Sequence, residues 1–191
     1  MAVLPILTLG DPLLRQRSRE VPPEELRAPE TQAFIDDLIE TMAHARGAGL
    51  AAPQVGSAVR VCAICVKDNP RYPYKPNWPL TVLVNPVLTP LSDETFVNNE
   101  GCLSVPNLRG EVKRFTELRV EALDRQGNSL AFEVRGLTAG TFQHECDHLD
   151  GKLFVDRVFD TTSLSTWAEF ERHGAAGFAE RARALVARWG S

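Results

Sequence analysis

The stretch Leu137-Thr-Ala-Gly-Thr-Phe-Gln-His144-Glu145-Cys146-Asp147-His148-Leu149 decides how the rest of the chain is read. It reads as a helix. Residues four apart on a helix lie on one face, one turn from each other, so the imidazoles of His144 and His148 reach a single ion. Two of the four histidines in the chain stand in this chelating arrangement. Glu145 lies one residue round from His144, close enough to touch a water on that ion without being a ligand itself. These residue types point to hydrolysis, because the ion lowers the pKa of water and the carboxylate takes the proton.

A catalytic site of this kind needs a third protein ligand and an open position. The pattern HExxHxxGxxH is excluded: Gly151 is in place, but Phe154 stands where the last histidine belongs. A thermolysin-like peptidase takes a glutamate from the next helix, and Glu169 or Glu171 would serve. The remaining source is Cys102, within Glu100-Gly-Cys-Leu-Ser104, whose thiolate with two imidazoles makes a His₂Cys site with the fourth position open for water. A closed structural Cys/His site would need Cys146, but that residue lies roughly 200° round the helix from His144 and faces away. Cys62 and Cys65 occupy a strand-like run at an odd separation, on opposite faces. Core packing is the reading for all three of these cysteines. His44 and His173 are isolated and read as solvated.

Around the helix, the chain has the composition of a folded domain, with 191 residues, 43% hydrophobic and 24% charged. Its length suits one domain spanning residues 1–191. Phe34, Leu38, Met42 and Ala45 mark the apolar face of a helix over 30–46, with Thr31 a candidate cap and Gly47 and Gly49 as its stop. Strand patterns follow at 58–66, 80–88, 117–123 and 129–134. The last two flank Asp124-Arg-Gln-Gly127-Asn128, a hairpin turn signal. Residues 68–79 hold Pro70, Pro73, Pro76 and Pro79 and read as an extended loop. After Asp160 the chain is helical again, broken near Gly174 and Gly177. Its last segment places Phe178, Ala182, Leu185, Val186 and Trp189 on one face, to dock on the core. The strands before and helices after predict an α+β fold.

Lys and Arg total 21 against 25 Asp and Glu, a formal charge of −4. That balance lacks the basic bias of a nucleic-acid binder. No apolar run approaches the ~20 residues of a membrane span. The first residues show neither a secretory signal nor a transit-peptide pattern, so a soluble protein of a bacterial cytoplasm is expected.

With these residues in view, the chain resembles the peptide deformylases. Gly47-Ala-Gly49-Leu50-Ala-Ala-Pro53-Gln54 is similar to the GxGLAAPQ motif of that family, Glu100-Gly-Cys102-Leu103-Ser104 to its EGCLS, and His144-Glu145-Cys146-Asp147-His148 to its HExDH. The similarity runs from about residue 3 to 158, including Ile6-Leu-Thr-Leu-Gly-Asp11-Pro-Leu-Leu-Arg15. The resemblance implies small, mostly antiparallel sheets around a central helix that carries the HExxH residues. It implies removal of the formyl group from the formylmethionine of new proteins, with Cys102, His144 and His148 as metal ligands. Glu145 carries over as general base and then acid, and the Gln54 side chain and Leu103 N–H as donors to the oxyanion. Gly49 and Leu50 are candidates for main-chain contacts to an extended peptide. Arg109 resembles a substrate-facing arginine, with a solvated arginine as the alternative, and Arg114 a structural partner of Asp147. Ligand softness alone favours Zn²⁺; the resemblance implies Fe²⁺, with Zn²⁺, Ni²⁺ or Co²⁺ able to replace it.

Three departures stand out. Ala48 occupies a position where the family commonly has Val or Ile, which alters the methionine pocket or its rim. The proline-rich 68–79 loop resembles that of only some members. The part after about residue 160 is the variable region of the family. In some members a basic C-terminal helix docks on the ribosome, and the resemblance extends that expectation to residues 171–191, with four Arg against two Glu.

Overall fold

The strand Val61–Val66 (β2) organises the fold, and the computed structural model, which describes residues 2–69 and 73–190, shows why its sequence is apolar throughout. Val61 and Ala63 pack with Ile35, Leu38 and Met42 of the helix Pro29–His44 (α2), which follows a single turn at Pro23–Leu26 (α1). Cys62 and Ile64 point to the opposite side and pack with Ala139, Phe142 and Leu149 of the helix Gly136–Leu149 (α3). A strand covered on both faces has no polar side, so alternation disappears from its sequence.

Five strands form the main sheet in the order Gly49–Ala51 (β1), β2, Trp78–Pro90 (β3), Glu117–Leu123 (β6) and Ser129–Arg135 (β7), each pair antiparallel. Between β6 and β7 the Asp124 carboxylate accepts the N–H groups of Gln126 and Asn128, both at 2.8 Å, and Gly127 takes φ +87°. That is the hairpin expected at this position. A separate antiparallel ribbon, Thr95–Cys102 (β4) with Val105–Phe115 (β5), lies beside α3. The sheets therefore surround the helix that carries the histidines, as the α+β expectation held.

The ribbon is the element the sequence pattern did not announce. The buried positions of β4 are Asn98, Asn99 and Glu100, so its inward face is polar and gives no hydrophobic periodicity. Other boundaries moved by smaller amounts. β2 begins at Val61 rather than residue 58, because Val59 pairs with Arg19 instead of the sheet. β3 begins at Trp78, inside the stretch expected to be loop; Pro70, within that stretch, lies outside the described residues.

At the C-terminal end, Trp167–Glu169 (α4) passes through a wide, π-type turn at Phe170–Gly174 into the helix Ala175–Trp189 (α5). Gly177 lies within α5 and does not break it. Phe178 and Ala182 are buried, as expected for a docked helix, and Tyr74 meets Phe178 edge to face at 5.0 Å. No helix among the described residues is long and apolar enough to cross a membrane.

Gly151 ends α3 with φ +71°, and a Cβ there would lie 2.6 Å from the Arg15 carbonyl oxygen. Left-handed backbone is strained for an L side chain, and here the space is filled by main chain as well. Gly151→Ala is expected to cost about 1–3 kcal/mol. Each kcal/mol lowers Tm by about 2–4 °C in a chain of this size, measurable by calorimetry. An unchanged Tm would show that the Arg15 segment yields freely.

Candidate active site

Helix α3 positions three of the residues that converge here. His144, Glu145 and His148 share its inner face, and β4 ends at Cys102 directly opposite. One donor atom from each of Cys102, His144 and His148 falls within 4.8 Å of the others, the one such group of three found among the described residues. Cys102 Sγ is 3.3 Å from His148 Nε2. Nδ1 of His144 meets Glu100 Oε2 at 2.8 Å, which leaves its other ring nitrogen for the cluster. A carboxylate on the far nitrogen is the usual way a metal-binding histidine is held in one tautomer.

Glu100 is itself clamped. Arg114 of β5 donates Nε to Glu100 Oε1 at 2.8 Å and Nη2 to Oε2 at 2.9 Å, and its Nη1 reaches Asp147 Oδ2 on α3 at 2.6 Å. Arg157 binds the same Asp147 through Nε at 2.6 Å and Nη2 at 2.5 Å. Burial works against a charge on Glu100, but Arg114 and His144 hold its carboxyl well below the ordinary value. Burial likewise opposes a charge on His144, yet Cys102 and Glu100 raise it well above the ordinary imidazole value. His148 moves the other way, lowered by burial and by the charges of His144 and Arg114.

Glu145 is buried beside these groups, and burial raises its carboxyl to about 7, with His144 and Lys75 opposing. Its Oε2 and His148 Nδ1 are buried without a hydrogen-bond partner among the described residues. The main chain of Gly49 lies against this carboxyl: a Cβ on Gly49 would fall on Glu145 Oε1, far inside van der Waals contact. Only glycine permits that approach. Gln54, in the 3₁₀ turn Ala52–Val55, accepts the Ala51 N–H at 2.9 Å. Its Nε2 donates to Ser104 Oγ at 3.1 Å and lies 3.5 Å from Cys102 Sγ.

The cleft is lined by Gly47, Ala48 and Gly49 on one side, by Glu100, Cys102 and Leu103 on another, and by Thr141 and His144 of α3. Leu50, next to Gly49 in the edge strand β1, has its side chain wholly buried and so presents only main chain. A soft thiolate, two imidazoles and an unpartnered buried carboxylate fit a divalent transition metal with an open position.

Arg109 lines the cleft wall but is 1% exposed, so the solvated alternative does not hold. It donates Nε to Asn99 Oδ1 at 2.7 Å and Nη2 to the Asn99 carbonyl at 2.8 Å. Its guanidinium lies 4.4 Å from the ring centres of both Trp167 and Phe170. Glu169 and Glu171, the peptidase-type ligands, are exposed on the C-terminal segment, where Glu169 pairs with Arg172 and Glu171 accepts from Trp167 Nε1. Glu169 also meets His173 Nε2 at 3.4 Å, but neither glutamate joins His144 and His148. Cys146 faces the core, where its contact with Cys62, together with burial, raises the Cys62 thiol well above the ordinary value. His44 and His173 are exposed, as expected. Sequence reasoning missed Asn99, Ser104, Lys75 and Arg157; of these only Ser104 had a signal, as the last residue of Glu100-Gly-Cys-Leu-Ser104.

Fold and donor set together define a metal-dependent hydrolase of α+β architecture. Residues 3–163 match the family model described as Polypeptide deformylase. Peptide deformylase 1 of Nitrosomonas europaea is 46% identical over 158 residues, which span 83% of this chain and 89% of that protein. The Met-Ala-Ser-bound class I type b peptide deformylase of Acinetobacter baumannii superposes with a TM-score of 0.79 at 38% identity, over 82% of this chain and 99% of that one. The complex of a peptide deformylase from Synechococcus elongatus with actinonin gives a TM-score of 0.74 at 29% identity, over 100% of this chain and 87% of that one. The chain belongs to the polypeptide deformylase family.

Arg114→Met removes one cation from two buried carboxylates. Breaking such a pair costs about 3–5 kcal/mol, because the remaining charges stay buried. Urea unfolding should show a loss of that size, and a loss below about 1 kcal/mol would mean that Arg157 alone holds the site together.

Proposed function

We propose that this chain hydrolyses the formamide bond of N-formylmethionyl nascent peptides and releases formate. The observation that carries the reading is Glu145, whose buried carboxyl lies against the Gly49 main chain on the helix that bears His144 and His148, with no hydrogen-bond partner for Oε2 among the described residues. The tripeptide Met-Ala-Ser in the Acinetobacter relative agrees with a substrate that begins with methionine.

In this reading Cys102, His144 and His148 hold one divalent ion. That ion, when bound, supplies Lewis acidity and a nucleophile at neutral pH. Glu145 takes a proton from the attacking water as its oxygen bonds to the formyl carbon. It then passes that proton to the nitrogen as the C–N bond breaks. Gln54 Nε2, oriented by the Ala51 N–H on its Oε1, and the Leu103 N–H are the donors assigned to the oxyanion. Glu100 keeps the His144 proton on Nδ1. Gly49 and Leu50 offer edge-strand main chain to an extended peptide, and Arg109 with Asn99 forms the wall beside it.

We assign Fe²⁺ as the ion in the cell, with Zn²⁺, Ni²⁺ or Co²⁺ as substitutes, and the bacterial cytoplasm as the place of reaction. Ribosome docking through α5 is the weaker expectation, since Arg181 and Arg188 are held by Glu111 and Glu94 of the same chain.

Formate release from formyl-Met-Ala-Ser, in protein purified without oxygen, tests the reading. Glu145→Ala should lower kcat by about 10²–10⁴, and Gln54→Ala by about 10²–10³. Cleavage inside the peptide without formate would overturn the reading in favour of a peptidase. Metal analysis gives an independent check: Cys102→Ala should lose the bound ion, whereas Glu169→Ala should keep it.

A further inference from the structure

Lys75 enters the cleft from the 68–79 segment, which the deformylase resemblance leaves without a role. Its Nζ donates to Thr141 Oγ1 at 2.9 Å, and the residue lines the same cavity as Ala48, Asn98, Gly140, His144 and Glu145. Thr141 stands four residues before Glu145 on α3, about 6 Å along the same helical face, so the ammonium it binds enters the cleft one turn from the catalytic residue. The charges of Glu100 and Glu145 act on Lys75 and partly offset its burial, which lowers it to about 8. The ammonium therefore belongs to the electrostatics of the cleft, not to the outer surface.

If the formyl carbon sits at the Cys102, His144 and His148 end, the first side chain of the peptide extends along α3 toward Thr141. A side chain of methionine length spans about one helical turn, ~5 Å. Its end thus arrives where Lys75, Thr141 and Asn98 present polar groups. Asn98 Nδ2 donates to Glu100 Oε1 at 3.0 Å, and the Thr141 hydroxyl donates to the Leu137 carbonyl at 3.2 Å. An ammonium offers only donors, and a thioether is a weak acceptor. Oxidation of that thioether places a strongly accepting oxygen on the same sulfur. Ala48 adds a small residue to the wall of the same cavity.

We propose that Lys75 is a selectivity residue for the first side chain of the formyl peptide, and that it extends the substrates of this site from formylmethionine to formylmethionine sulfoxide by donating to the sulfoxide oxygen. The proposal rests on the deformylase reading. No new bond chemistry is involved, since the same formamide C–N bond is hydrolysed in both substrates.

Formate release is to be measured on three tripeptides ending in Ala-Ser, with formylmethionine, formylmethionine sulfoxide or formylnorleucine first. In the wild-type holoenzyme the sulfoxide peptide should exceed the norleucine peptide in kcat/KM. In Lys75→Met the ratio of the two should fall by about 10–100-fold, the worth of one hydrogen bond from a charged donor. Lys75→Gln, which keeps a donor of similar reach, should restore part of it. Affinity of the unformylated sulfoxide product, measured by calorimetry, should fall in parallel in Lys75→Met. A ratio equal in wild type and Lys75→Met overturns the proposal, including when both rates drop together as a structural role would require. No formate from any peptide with wild-type protein would overturn the deformylase reading and this proposal with it.

Discussion

Arg114 ties the two halves of the molecule together at the site. Its guanidinium binds Glu100 of β4 with two parallel hydrogen bonds and Asp147 of α3 with a third, all inside the protein. Without a cation between them, two buried carboxylates would repel each other and draw water into the core. With it, the β4–β5 ribbon is pinned to the helix, and Cys102 at the end of that ribbon stands over His144 and His148. The same Glu100 orients His144 through Nδ1. A single buried charge cluster thereby fixes both the distance between the donors and the tautomer of one of them.

A second constraint is steric. β1 and α3 approach so closely that the Glu145 carboxyl rests on the Gly49 backbone. That contact brings the edge of the main sheet to the Glu145 carboxyl and shields it from solvent, the condition that raises its pKa. In the proposed reaction, peptide main chain is held by β1 while Glu145 acts from α3, so binding and catalysis would draw on different elements with a shared border.

The HExxH helix, the β6–β7 hairpin and the buried β2 were legible in the sequence because their periodicity or turn chemistry is local. Cys102 was legible as one candidate third donor beside Glu169 and Glu171, and the fold brings its Sγ, and neither glutamate, to His144 and His148. The β4–β5 ribbon was not legible. Its inward residues, Asn98, Asn99 and Glu100, are polar because they serve the site, so the usual apolar signal of a strand is missing. Arg109 shows a related limit: an arginine in a strand reads as solvated or substrate-facing until Trp167 and Phe170 close over it from a segment 58 and 61 positions later.

The amino-acid sequence by itself determined the candidate metal donors, the family and the order of every main element except the β4–β5 ribbon, since motifs and periodicities need only near neighbours. Tertiary structure alone decided which acidic and cationic groups share the interior, that Lys75 reaches Thr141 from a distant loop, and that Glu169 and Glu171 stay outside. These depend on how far apart in the chain two groups are when folding brings them into contact. Buried charges must find partners wherever the chain supplies them, and no local pattern records that choice.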